Sequence, residues 1–304
     1  MCGDDPPMGE FVPIVAPMGL QRIRTIAMTK TITTREEITM NQERLLTSIN
    51  DHVGTITFNR PDRGNSLSPE MLIHIYQILT RWAEEEAVRC VVISGGQGKA
   101  FCSGFDITAI PTQVEPAMEQ LIRDHNPLEL AFKSIKTFPY PTIAMWNGYC
   151  FGAGLNLSMV CDIRIAAEGV KVGMPPARLG LVYHAEGLVE FVQAIGMAAT
   201  REIFFTAHTY KADKAKEIGL MNHVVPQEAL VDFTDAMAGE IAANAPISLK
   251  NTKTILAMIA ENMTLSPDNK VTADMLQAEG FTSEDLKEGQ MAFIEKRKPV
   301  FKGR

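Results

Sequence analysis

The chain has 304 residues, of which 46% are hydrophobic and 21% charged, an ordinary globular composition. A formal charge of −7 argues against a general nucleic-acid binder. No apolar run approaches the roughly 18 residues that a membrane-spanning helix needs, so a cytoplasmic protein without a membrane span is expected.

In chain order, residues 1–40 read as an irregular N-terminal extension with scattered prolines and none of the marks of a secretory signal; Met28 and Met40 are alternative starts. Leu45–Asn50 and Val53–Asn59 are β-type runs around Asp51-His52, a hairpin. Ser68-Pro69 starts a helix that runs to about Glu86, with serine as cap and proline at the first helical position. Cys90–Ser94 is a buried strand, and a loop above the site is expected from Phe105 to about Pro116. A helix from Met118 to Lys136 and a strand from Pro141 to Trp146 follow. After a glycine-rich turn and an apolar helix comes a short strand, Ile163–Ala166. Beyond residue 186 the chain reads almost wholly helical: Glu186–Ile195, Thr200–Thr206, Ala212–Ile218, Ala229–Ala243, Pro246–Ala260, Thr272–Glu279 and Glu284–Lys296. Alternating strands and helices indicate a largely parallel sheet, hence an α/β fold. Five cysteines (Cys2, Cys90, Cys102, Cys150, Cys161) show neither a CxxC pair nor metal-ligand spacing, and four lie in core-like runs, as buried thiols in a reducing compartment do.

Asn147-Gly148-Tyr149-Cys150-Phe151-Gly152-Ala153-Gly154 is the most informative stretch. Glycine-dense backbone entering a helix leaves N–H groups without intrahelical partners. Such a turn cradles a phosphate, stabilises an oxyanion, or simply lets two backbones pack closely. Gly95-Gly96-Gln97-Gly98-Lys99 is not a nucleotide-hydrolase phosphate loop, because its spacing is wrong and no Ser or Thr follows the lysine.

Phe101-Cys102-Ser103-Gly104-Phe105-Asp106-Ile107, taken with the glycine-rich turn, resembles the crotonase superfamily, also called the enoyl-CoA hydratase/isomerase family. Asn59-Arg60-Pro61 with Asn65-Ser66-Leu67, Cys161 to Ala166, Gly219 to Val225, and Glu288-Gly289 through Pro299 stand in the family's order, over about residues 41–304. The resemblance implies a ββα spiral with a helical C-terminal trimerisation part: 41–225 as core carrying CoA and active site, 226–304 as oligomerisation part, and a homotrimer or dimer of trimers. It implies that the N–H groups of Phe105 and Ala153 grip the thioester oxygen of an acyl-CoA. Ser66, Ser103, Ile107, Lys296 and Lys298 would contact the coenzyme, with Arg297 beside them. Coenzyme A would arrive as part of the substrate; no resident cofactor or metal is expected.

Two-glutamate hydratases of this family carry their carboxylates where Asn156 and Pro176 stand here, and neither residue can act as a base. Losing CO2 creates an enolate without a base. Leu179 to His184, Ile203 to Ala207 and the C-terminal stretch resemble the superfamily's methylmalonyl-CoA decarboxylase branch, in which a tyrosine at the position of Tyr183 orients the departing carboxylate. That branch has histidine where Phe105 stands and glutamate where Asn156 stands. Decarboxylation of a malonyl-type thioester is therefore the leading expectation. His184, Glu186 and Asn156 are further acid/base or substrate-contact candidates. The alternatives are hydration, isomerisation or C–C hydrolysis, with His184, Glu186, Glu129 or His125 as base, and a non-catalytic acyl-CoA-binding protein.

Overall fold

The computed structural model describes residues 44–106, 126–261 and 267–302. The N-terminal extension, most of the loop after Phe105, Ile107, His125 and the first half of the helix expected from Met118 lie outside the described residues. The hairpin forms as expected: β1 (Leu45–Asn50) pairs antiparallel with β2 (Val53–Phe58). Asp51 and His52 both take positive φ, as a two-residue turn matching the strand twist requires. The Ser68 side chain caps α1 (Pro69–Glu85) by accepting from Met71 N–H.

Two sheets build the core. The first has the order β1, β2, β3 (Cys90–Ser94), β5 (Thr142–Trp146), β7 (Ile163–Ala167), β10 (His223–Val225), parallel from β2 onward. The second has the order β4 (Ala100–Cys102), β6 (Tyr149–Phe151), β8 (Lys171–Gly173), β9 (Thr209–Lys211). Successive turns of the chain place a strand in the first sheet, then one in the second, then a helix: α2 (Pro127–Lys136), α3 (Ala153–Met159), α4 (Ala185–Thr206). That is a ββα spiral. Each second-sheet strand has only three residues, too few to show an alternating pattern, so no residue pattern marks this sheet and it was expected only through the ββα spiral that the resemblance implies. Phe101 of β4 joins the sheets, its ring centroid 5.4 Å from Phe58 and 6.3 Å from Trp146.

Past residue 186 two short strands, β9 and β10, interrupt the expected run of helices, flanking α5 (Ala212–Glu217). Gly196 breaks α4 with φ 76° and ψ 165°, so the two helices expected there exist as two segments of one element. α6 (Leu230–Ala243) packs on the first sheet and buries Leu230, Ala238 and Ala242 in the core. α7 (Pro246–Glu261) is tied down by Lys253, whose Nζ donates to Asp162 Oδ2 (2.6 Å) and to the Tyr140 carbonyl (3.0 Å). α8 (Pro267–Thr282) and α9 (Glu284–Ile294) fold back over residues 176–186 of the same chain. Glycines permit that approach: a Cβ on Gly289 would stand 2.4 Å from the Leu179 carbonyl oxygen, and one on Gly280 2.5 Å from Val182.

Candidate active site

The site begins where β4 and β6 end beside each other. Gly104 has φ 114° and Gly152 φ 54° with ψ −124°, regions that a side chain disfavours. These turns bring the two backbones together: an ideal Cβ on Gly104 would lie 3.3 Å from the Phe151 carbonyl oxygen and 3.7 Å from Ala153 N. Leu67 and Phe105 form a parallel bridge, in which Leu67 N–H donates to the Gly104 carbonyl and Asp106 N–H to the Leu67 carbonyl. The groups flanking residue 105 face Leu67, so Phe105 N–H points the other way. Ala153 opens α3, where a backbone N–H has no intrahelical acceptor. Among the described residues no backbone carbonyl accepts from Phe105 or Ala153.

Side chains fix this frame. Asn65 Nδ2 donates to the carbonyls of Gly95 and Ala100, and Asn147 Nδ2 to that of Gly98. Asp106 pairs with Arg60 at 2.9 Å, and Arg60 also donates to the Ser66 carbonyl. Asp106 and Asp162 thus fasten loops and strands. Ser103 is exposed and donates to the Arg63 carbonyl. A groove lined by Arg44, Asn59, Arg60, Pro61, Asp62 and Arg63, three cations to one carboxylate, opens beside Ser66 and Ser103; these arginines were not singled out from the sequence.

The second half of the site is a chain of polar groups. Tyr183 donates its hydroxyl to Asn156 Oδ1 at 2.6 Å, and Asn156 Nδ2 donates to Glu190 Oε2 at 2.7 Å. Asn156 is fully buried on α3, Tyr183 precedes α4, and Glu190 stands in the second turn of α4. Burial and the Glu190 carboxylate hold the phenol above its ordinary range, so it stays protonated. Burial pushes the Glu190 carboxyl up to about 7, opposed by the Asn156 amide and by Lys136 at the end of α2, whose Nζ is 4.0 Å from Oε1. Glu190 was not foreseen. Its signal was a single carboxylate within Gly187-Leu188-Val189-Glu190-Phe191-Val192, an otherwise apolar helical run.

The other titratable candidates are placed differently. His184 caps α4: its Nδ1 accepts from Gly187 N–H, and burial lowers its pKa. Glu186 turns outward to Lys270 of α8 at 2.7 Å, with His184 Nδ1 3.6 Å away. Glu129 lies in the first turn of α2. Lys296 and Lys298 are exposed beyond α9, while Arg297 pairs with Glu288 and Glu295. Pro176 opens the turn that α9 covers, and its ring offers no proton carrier.

The enoyl-CoA hydratase/isomerase family model matches residues 48–304. The chain belongs to this family. Among relatives, it is 33% identical to the methylmalonyl-CoA decarboxylase of Escherichia coli (strain K12), over 83% of this chain and 95% of that one. It is 32% identical to the (E)-benzylidenesuccinyl-CoA hydratase of Thauera aromatica, over 84% and 97%. A solved structure of methylmalonyl-CoA decarboxylase in complex with 2-nitronate-propionyl-CoA superposes with a TM-score of 0.77 at 30% identity, covering 86% of this chain and 99% of that one. The protein is thus a crotonase-fold member of an acyl-CoA enzyme family, and no described helix is long and apolar enough to cross a membrane.

Proposed function

We propose that the protein decarboxylates a malonyl-type acyl-CoA thioester. The observation that carries this reading is the Tyr183 hydroxyl, which meets an amide at position 156 where a hydratase of this family has a carboxylate. The thioester oxygen lies on the N–H groups of Phe105 and Ala153, and the substrate carboxylate lies near Tyr183. A carboxylate is a stronger acceptor than the Asn156 amide and takes over the phenol proton as hydrogen-bond partner. The bond from the α-carbon to the carboxylate breaks, CO2 departs, and the electron pair passes to the thioester oxygen as an enolate that the two N–H groups stabilise. A proton then returns to the α-carbon.

The adenosine phosphates lie over the cationic groove by Ser66, Ser103 and Arg63, with Ile107, Lys296 and Lys298 as further contacts. The exposed apolar residues of α7–α9, among them Leu256, Met275 and Phe293, pack against other copies in a trimer or dimer of trimers. Mass analysis of products from malonyl-, methylmalonyl-, crotonyl- and cyclic β-ketoacyl-CoA tests the reading. Loss of CO2 from the malonyl thioesters is expected. Crotonyl-CoA hydration at roughly 10 per second or faster selects the second reading instead, hydration, which the hydratases among the relatives favour. CoA binding without turnover on any member selects a binding protein.

A further inference from the structure

Glu190 is a mostly buried carboxyl group whose hydrogen bond and loose ion pair do not offset the cost of burying it as an anion. Its side chain is 11% exposed and sits in the apolar first part of α4. Desolvating a carboxylate is unfavourable, and the close contact that holds it, the Asn156 amide at 2.7 Å, requires only an oxygen acceptor, while the Lys136 ammonium stands off at 4.0 Å with its side chain 42% exposed. A glutamine would satisfy that amide without the desolvation cost. The group also reaches the reacting region through one residue, since Asn156 holds Glu190 with one end of its amide and Tyr183 with the other.

We propose that Glu190 is the proton carrier of this site, exchanging a proton with the α-carbon of the bound acyl-CoA through one water beside the Asn156–Tyr183 pair, which orients the carboxyl but does not itself carry the proton. The proposal rests on the acyl-CoA enolate chemistry proposed above, but not on which bond is broken to form the enolate. After CO2 leaves, the neutral carboxyl gives its proton to the intervening water, that water gives one of its own protons to the α-carbon, the enolate electron pair forms the new C–H bond, and the carboxylate is reprotonated from solvent. In reverse, the water takes an α-proton from a saturated acyl-CoA as it gives one to the carboxylate, and the electron pair passes to the thioester oxygen. Around neutral pH both forms of Glu190 are populated, the condition for acting in both directions. Burial favours the neutral form most; the Asn156 amide and Lys136 on α2 favour the anion, and Glu186 on α4 opposes it. Glu186 is in turn held by Lys270 of α8, and His184 and Tyr183 complete the titratable surroundings.

The test is α-deuterium incorporation into acetyl-CoA and propionyl-CoA by the full-length protein in D2O, read by mass between pD 5 and 9. The wild-type protein is expected to incorporate deuterium at a rate that rises with pD to a plateau near neutrality. Glu190→Gln is expected to lower that rate about 100-fold or more while staying folded, at no lower a melting temperature than wild type, and keeping its CoA affinity. Lys136→Met, which removes the nearby cation, is expected to move the inflection to higher pD; this arm decides the matter if Glu190→Gln does not fold. No incorporation by the wild type, an unchanged rate in Glu190→Gln, or an unmoved inflection in Lys136→Met overturns the proposal. CO2 release from malonyl-CoA, measured separately on the wild type, tells the two readings apart. Glu190-dependent exchange without CO2 release refutes decarboxylation alone. CO2 release with exchange indifferent to residue 190 refutes the proton carrier alone.

Discussion

At the residue scale, three substitutions separate the parts of the site. Proline is well tolerated at the first position of a helix, and Ala153 N–H has no intrahelical acceptor, so Ala153→Pro is compatible with α3. It deletes one proposed oxyanion donor, and turnover is expected to fall about 100-fold or more at unchanged far-UV circular dichroism. Tyr183→Phe keeps the ring, which packs on His184 and Phe204 at 4.6 and 5.3 Å, and deletes the hydroxyl. A lost hydrogen bond to a charged group is worth about 1.5–3 kcal/mol, roughly a tenfold to hundredfold fall in kcat/KM with CoA affinity unchanged. Glu190 has a consequence for stability as well. Its folded pKa, about 7, lies above the ordinary 4.5, so the native state binds the extra proton. Its contribution is fully present below pH 4.5 and is lost as pH rises through 7, by on the order of 3 kcal/mol. Glu190→Gln should therefore gain stability over wild type between pH 5 and pH 8 in denaturant titrations; equal pH dependence in both proteins would contradict the raised pKa.

At the element scale, the segment carrying Tyr183 is held between α4 and the returning helices α8 and α9. The contact at Gly289 is backbone against backbone, since a Cβ there meets the Leu179 carbonyl carbon and oxygen at 2.5 and 2.4 Å. A flexible side chain yields to such a clash, but a carbonyl yields only if the turn moves. Gly289→Ala is therefore expected to push α9 off the turn and shift Tyr183. Overpacking of this kind costs about 1–3 kcal/mol, and a misplacement of about 1 Å costs roughly 100-fold in rate. The two sheets should persist, so circular dichroism stays native-like while kcat falls. Wild-type kcat in this variant would mean that the C-terminal helices do not position the tyrosine.

At the scale of the whole molecule, the two surfaces of the C-terminal part differ. One face of α8 and α9 covers the chain's own 176–186 segment, and α7 is anchored to Asp162 by Lys253. The other face leaves Ile255, Leu256, Met275, Leu276, Phe281 and Phe293 more than half exposed, more apolar surface than a monomer ordinarily shows. Sedimentation equilibrium is expected to give three or six chains per particle. Charges introduced together at Leu256 and Met275 should lower that number; a wild-type monomer at micromolar concentration would refute the assembly.

The sequence by itself determined the elements whose signals are local. The Ser68-Pro69 cap, the Asp51-His52 hairpin and the apolar run Cys90–Ser94 each declare themselves within a few residues. The glycine-rich turns were legible for the same reason, because a positive φ restricts residue type directly at Gly104 and Gly152. The second sheet was not legible, because strands of three residues have no period and exist only through pairing with partners tens of residues away. Nor was the meeting of Asn156, Tyr183 and Glu190. Positions 156 and 190 lie 34 apart in the chain, and only the packing of α4 against α3 makes them neighbours. His184 and Glu186 looked like the nearest acid/base groups because sequence proximity to Tyr183 was the only measure at hand. Helix geometry turned His184 into a cap and Glu186 toward solvent, while Glu190, in the second turn of α4, came to face the interior. The charge state of Glu190 was likewise a tertiary decision, since the desolvation that raises its pKa comes from elements the local sequence does not name.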